Sequence, residues 1–225
     1  MIKEALNKIK SELPPHVKLV AVSKYHPLES IIEAYDAGQR IFAESRAQEL
    51  HSKIQKIEKQ RLKDENFLKD ISFHFIGHLQ RNKLKLVLPY VDLVESVDSV
   101  RLLTAIQKWA ASEDKIINVL LQLHIAEEES KQGLTKEEIL SILDEAESYP
   151  NVRFKGLMGM ATFTEDVDKI KSEFQTISNF FSLIKEKYKA LPLEELSIGM
   201  SGDYSIAIDY GSTMIRLGTI IFGSR

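Results

Sequence analysis

The chain has 225 residues, 44% of them hydrophobic and 28% charged, with a formal net charge of −3 and no cysteine. That length suits one domain over 1–225 with a substantial core, and the near-balanced charge argues against a nucleic-acid binder or an anionic-membrane binder. The lack of cysteine excludes disulfides, thiolate metal sites and a cysteine nucleophile, and points to a reducing, cytoplasmic setting. Met1 to Pro14 is charged and amphipathic and lacks the apolar stretch of a signal peptide. No apolar run approaches the roughly 20 residues that a transmembrane helix needs.

In chain order, a first helix is expected over 2–11, followed by a strand over 17–22. Pro27 opens a helix that Gly38 closes. A strand at 40–42 precedes a charged amphipathic helix over 45–64, and further strands are expected at 72–76 and 91–95. Val100, Leu102, Leu103, Ile106 and Trp109 mark one apolar helix face. After a strand at 117–123 comes a polar loop with an acidic run, Ala126 to Gly133. Thr135 and Glu138 read as a capping box that opens a helix over 136–148. A strand at 152–158, a helix from Asp168 to Lys189 and strands at 195–198 and 213–217 complete the series. Strands that alternate with helices in this way predict an α/β fold, a single (β/α)8 TIM-type barrel with an extra N-terminal helix. An open doubly wound sheet would carry a Gly-rich loop after its first strand, and Ser23-Lys24-Tyr25-His26-Pro27 has no glycine.

Lys24 ends the first apolar run. In a parallel barrel the C-terminal ends of strands carry the chemistry, and a lysine beside apolar neighbours loses its proton more readily than a surface lysine. Lys24 is therefore a candidate Schiff-base lysine; taken alone, it reads more readily as a surface lysine at a strand end. Late in the chain, Ser197 to Asp203 and Gly211 to Thr219 both bring small residues to predicted strand ends. Small residues let backbone N–H groups approach a phosphate, and Ser201, Gly218 and Thr219 suit that role. Arg216 stands inside the apolar run Met214-Ile215-Arg216-Leu217 and needs a partner, either a ligand or a neighbouring carboxylate. Met158 reads as core or as pocket lining. His74 and His78 lack ligand spacing with a third group, so no metal site is expected.

Lysine after the first strand, arginine in the last and a Ser/Gly/Thr cup together resemble the pyridoxal-phosphate barrel of the alanine racemase fold type. The closer resemblance is to the small YggS/PROSC family of pyridoxal 5′-phosphate (PLP) homeostasis proteins. It is carried by Ala21-Val22-Ser23-Lys24, by His74-Phe75-Ile76-Gly77-His78-Leu79-Gln80-Arg81-Asn82-Lys83, by Gly156-Leu157-Met158-Gly159-Met160-Ala161 and by Gly199-Met200-Ser201-Gly202-Asp203. Gly211-Ser212-Thr213 through Ile221-Phe222-Gly223 completes it. One departure stands out. Where that family has Phe-Gly-Glu-Asn, this chain has Phe42-Ala43-Glu44-Ser45, so a cofactor contact from Ser45 is in doubt.

The resemblance implies that Lys24 holds PLP as an internal aldimine, that Ser201, Gly218 and Thr219 hold its phosphate, and that Arg216 faces the pyridine nitrogen. His78 is expected behind the cofactor and Met158, with Met160, along its pocket, while Ser45 stands where the family's Asn lies near it. Because arginine keeps its proton, the ring would stay unprotonated and be a poor electron sink. Three functions compete: a PLP carrier that supplies or buffers the cofactor, with PLP-dependent apo-enzymes as recipients; a PLP-dependent amino-acid racemase; and a lysine-dependent aldolase. Racemisation needs a base on each face of the α-carbon, and only Lys24 is evident. The sequence ends at Arg225, shortly after the last predicted strand, without the further β domain of racemases. A non-catalytic, monomeric carrier with no catalytic residue is the expectation.

Overall fold

Burial with a period of two along the strands sorts the side chains into two layers. On β1 (Lys18–Val22), Leu19 and Ala21 join a core between sheet and helices, whereas Val20 and Val22 belong to a second cluster with Ala43, Leu93, Leu120, Met158 and Met214. Two apolar faces on one strand are what a parallel sheet covered by helices requires. The computed structural model describes residues 1–127 and 132–223. The remaining strands are β2 (Ile41–Glu44), β3 (Ser72–Phe75), β4 (Leu93–Val97), β5 (Ile117–Gln122), β6 (Val152–Met158), β7 (Glu195–Ser197) and β8 (Met214–Leu217). Each pairs in parallel with its neighbours in chain order, and β8 closes on β1, with Val20 opposite Arg216. The second cluster is thus the inside of a barrel. All eight expected strands are present.

Around the barrel run α1 (Ile2–Glu12), α2 (Leu28–Asp36), α3 (Ala47–Arg61), α4 (Leu84–Val87), α5 (Val100–Ser112), α6 (Lys136–Asp144), α7 (Val167–Lys187), α8 (Tyr204–Asp209) and α9 (Thr219–Phe222). The extra N-terminal helix α1 buries Ile2, Leu6 and Ile9, one stripe of an amphipathic helix, and lies against α2 and α9. Full burial of such a side chain contributes roughly 1.5–3 kcal/mol. The capping box forms as expected: the Thr135 hydroxyl accepts the Glu138 N–H at 3.1 Å, and the Glu138 carboxylate accepts the Thr135 N–H at 2.9 Å.

Two helices are shorter than their sequence patterns. Arg46 is extended, so α3 starts at Ala47, and α6 ends at Asp144 with a separate 3-10 turn over Ala146–Ser148. That turn lets Tyr149 meet Phe154 edge to face at 6.0 Å. The acidic run of the loop after β5 falls largely on residues 128–131, outside the described residues. Among the described residues, no helix is long and apolar enough to cross a membrane.

Candidate functional site

Lys24 occupies the second position of a turn just past β1. The His26 N–H donates to the Ser23 carbonyl at 3.1 Å, and Tyr25 takes φ 67°. A positive φ costs a tyrosine roughly 1–2 kcal/mol, so its surroundings must hold it. They do so from three sides. The Tyr25 N–H donates to Glu49 at 2.5 Å, the Arg46 guanidinium lies 4.5 Å from the Tyr25 ring centre, and His26 stacks on Phe222 of α9 at 5.0 Å. Lys24 itself is half-buried, and its amine has no hydrogen-bond or ion-pair partner among the described residues.

Behind this turn lies a buried ionic cluster between β2 and α3. Lys53 donates to Glu44 at 2.6 Å, to Glu49 at 2.8 Å and to the Ser23 carbonyl at 2.9 Å, and the Ser23 hydroxyl donates to Glu44 at 2.7 Å. Glu44 follows inward-facing Ala43 and so faces outward, away from the barrel interior. Burial pushes its carboxyl up, against the pull of Lys53 and Ser23. One oxygen, Oε2, is buried without a hydrogen-bond partner.

At the same end of the barrel the loops after β7 and β8 converge. The Gly218 N–H donates to the Ser201 hydroxyl at 3.4 Å, which joins the two segments. Gly218 also lies close against β1, where a Cβ would come within 3.2 Å of the Val22 carbonyl oxygen. Thr219 is the first residue of α9, so its N–H has no intrahelical acceptor. Gly202, exposed beside Ser201, has open space where a Cβ would stand.

Inside the barrel, Arg216 is buried, with 4% of its surface exposed. Its Nη1 donates to the Ser197 carbonyl at 2.8 Å and to the Ser197 hydroxyl at 2.5 Å, and its Nη2 donates to the Gly159 carbonyl at 2.9 Å. The Ser197 hydroxyl in turn donates to Glu95 Oε2 at 2.6 Å. Glu95 Oε1 lies 2.7 Å from His74 Nδ1, and the nearest Arg216–Glu95 contact is 3.8 Å. Both options considered for Arg216 meet here: a carboxylate does stand near it, but one hydroxyl away. Burial would raise Glu95; the His74 hydrogen bond, the charges of His74 and Arg216 and the Ser197 hydroxyl outweigh that and hold it below the usual carboxylate range. Burial pushes Arg216 down, against the Glu95 and Asp203 carboxylates.

Other predicted site residues take different places. Met158 is wholly buried inside the barrel. Ser45 is half-buried, and its backbone is so close to Gly77 that a Cβ there would stand 2.0 Å from the Ser45 carbonyl oxygen. His78 lies on the rim, 54% exposed, with Nδ1 2.8 Å from Asp98. The two histidines thus engage different carboxylates, and among the described residues no group of three His, Cys, Asp or Glu is placed to hold a metal. Sequence reasoning missed Glu95, Ser197 and the partnership of His74. The signal was available, because Glu95 interrupts Leu93-Val94-Glu95-Ser96-Val97 as Arg216 interrupts its own strand.

Residues 1–225 match the family described as alanine racemase, N-terminal domain. A pyridoxal phosphate homeostasis protein of Synechocystis is 39% identical over 219 residues, covering 97% of this chain and 96% of that protein. The protein of the same description in Haemophilus influenzae is 36% identical over 209 residues, covering 93% and 85%. Among solved structures, PipY of Synechococcus elongatus, solved with PLP bound, superposes with a TM-score of 0.88 at 33% identity, covering 99% of this chain and 100% of that one.

Proposed function

The chain belongs to the alanine racemase N-terminal domain family and, within it, to the pyridoxal phosphate homeostasis proteins, and on that premise we propose that it binds PLP on Lys24 and serves as a carrier in PLP homeostasis. The observation that carries this reading is the unpartnered Lys24 amine at the end of β1, on the strand that pairs with the one bearing buried Arg216. The donor set fits the group. An amine without a partner suits an aldehyde. The Ser201 and Thr219 hydroxyls, the Thr219 N–H and the Gly218 N–H, which spans to the Ser201 hydroxyl by a long 3.4 Å bond, suit a phosphate dianion. A guanidinium that cannot act as an acceptor suits an unprotonated ring nitrogen.

When bound, the cofactor supplies an aldehyde that can join an amine and a ring that can draw electrons. The protein limits the second property. Arg216 would donate to the ring nitrogen without surrendering a proton, which would leave the ring a weak electron sink. Met158 contributes apolar surface inside the barrel, while Ser45 and His78 border the pocket from β2 and β3. Tyr25, Phe163 and Ile220 follow β1, β6 and β8 and are exposed at 40%, 96% and 39%, which suits transfer to apo-enzymes that dock at this end.

The test is the visible spectrum of purified protein mixed with PLP. Borohydride should fix a pyridoxyl group on the Lys24 peptide, and Lys24→Ala should lose the absorption band. A variant that keeps the band at wild-type intensity overturns the assignment. Turnover of any amino acid in the usual enzyme range, roughly 1–10³ per second, would replace the carrier by a racemase-like or related enzyme.

A further inference from the structure

Arg216 has five N–H donors in a rigid plane. Ser197 takes two from Nη1 and Gly159 takes one from Nη2, so the Nε–H and one Nη2 hydrogen have no partner among the described residues. A guanidinium kept purely for structure pairs commonly with a carboxylate in bidentate fashion. Here the carboxylate is set back by one hydroxyl. It offsets the buried positive charge without occupying the donors that remain.

We infer that Glu95, backed by His74, is the positioning residue for Arg216: through the Ser197 hydroxyl it fixes the guanidinium so that its unused donors serve the cofactor's ring nitrogen. This rests on the functional reading above. The hydrogen bonds run in one consistent direction. Arg216 donates to Ser197, Ser197 donates to Glu95, and His74 Nδ1–H donates to the other oxygen of Glu95. Glu95 is wholly buried, and both its oxygens are engaged. Glu44, just as buried but facing outward from β2, leaves one oxygen without a partner. His74 in turn borders a cavity of about 190 Å³ at the N-terminal mouth of the barrel, beside the Lys18–Glu195 ion pair, Asp92 and Lys155. Its Nε2 has no partner among the described residues. The relay therefore ends at this cavity and is anchored from the N-terminal end of the barrel.

The experiment compares two ligands, PLP and its 1-deaza analogue, in which a C–H replaces the ring nitrogen. Dissociation constants are measured for wild type, Glu95→Gln and Ser197→Ala, with circular dichroism and melting as checks on folding. Glu95→Gln should weaken PLP by about tenfold, the worth of one hydrogen bond to a charged group, and change the deaza analogue no more than about twofold. Ser197→Ala keeps both charges and cuts only the link, so it should lose the same preference even if Glu95→Gln fails to fold. Equal weakening of both ligands would assign Glu95 a purely structural role and overturn the inference, as would no change for either. Wild-type protein that binds PLP but favours it no more than the analogue overturns the positioning role alone. Wild-type protein that binds neither overturns the functional reading, and this inference with it.

Discussion

Glu44 on β2 and Glu95 on β4 are both fully buried carboxylates of one barrel, yet they are shifted in opposite directions. Glu44 faces the helices, shares Lys53 with Glu49 and leaves one oxygen unpartnered, so burial dominates and its carboxyl is pushed up. Glu95 faces the barrel interior with His74 on one oxygen and Ser197 and Arg216 on the other, so its charge is held despite complete burial. Depth does not decide the charge of a buried acid; the charges beside it do, since Glu44 shares one cation with a second carboxylate whereas Glu95 lies between His74 and Arg216. The outer cluster braces the turn that carries Lys24. The inner one keeps Arg216 charged where water is excluded.

Removing the inner charge is the most damaging way to break this comparison. Glu95→Ala strands Arg216 in the barrel without its counter-charge and should cost about 3–5 kcal/mol, read by urea unfolding. A loss no larger than that of Glu44→Ala would mean that the two sites are energetically alike. Next come the hydroxyls that serve each acid. Ser197→Ala removes a bridge between two charged groups and should cost about 1.5–3 kcal/mol, whereas Ser23→Ala removes one donor to a carboxylate that Lys53 still serves and should cost about 1 kcal/mol. Equal losses would contradict the ranking.

The gentlest test is the slope of stability against pH. Glu95 has a depressed folded value, so its contribution is present above the ordinary carboxyl value of about 4.3 and is lost as pH falls through the folded one. Glu44 has a raised folded value, so the fold is favoured below that range and loses the increment as pH rises through it. Glu95→Gln should therefore flatten the acid decline, and Glu44→Gln should steepen it. Urea melts over about pH 3 to 7 would show the opposite signs; two shifts of the same sign would sink the contrast.

The barrel was legible in the sequence because strands covered on both faces read as unbroken apolar runs, and each of the eight runs became a strand. Lys24 and Arg216 stood out by the same contrast, as charges at or within such runs. Glu95 did not, although it obeys the rule. The expected strand over 91–95 made Glu95 a strand end, where an acid needs no explanation. The actual β4, Leu93–Val97, makes Glu95 its centre. A shift of two residues at a strand boundary thus concealed a buried charge. The relay from β3 through β4 and β7 to β8 joins residues from 74 to 216 across the barrel, and no local pattern encodes such contacts. The cup at Ser201 and Gly218 was readable as composition; the hydrogen bond that joins its halves was not.

The open space at Gly202 gives this protein a practical handle. No atom lies within 4 Å of the place a side chain would start there, and its backbone is not in the left-handed region. The natural sequence has no cysteine. Gly202→Cys would therefore create a protein with one thiol, next to Ser201 and remote from the packed core. A dye attached to that thiol would sit at the edge of the phosphate cup and report arrival and departure of a ligand as a fluorescence change, in real time and without touching Lys24 or Arg216.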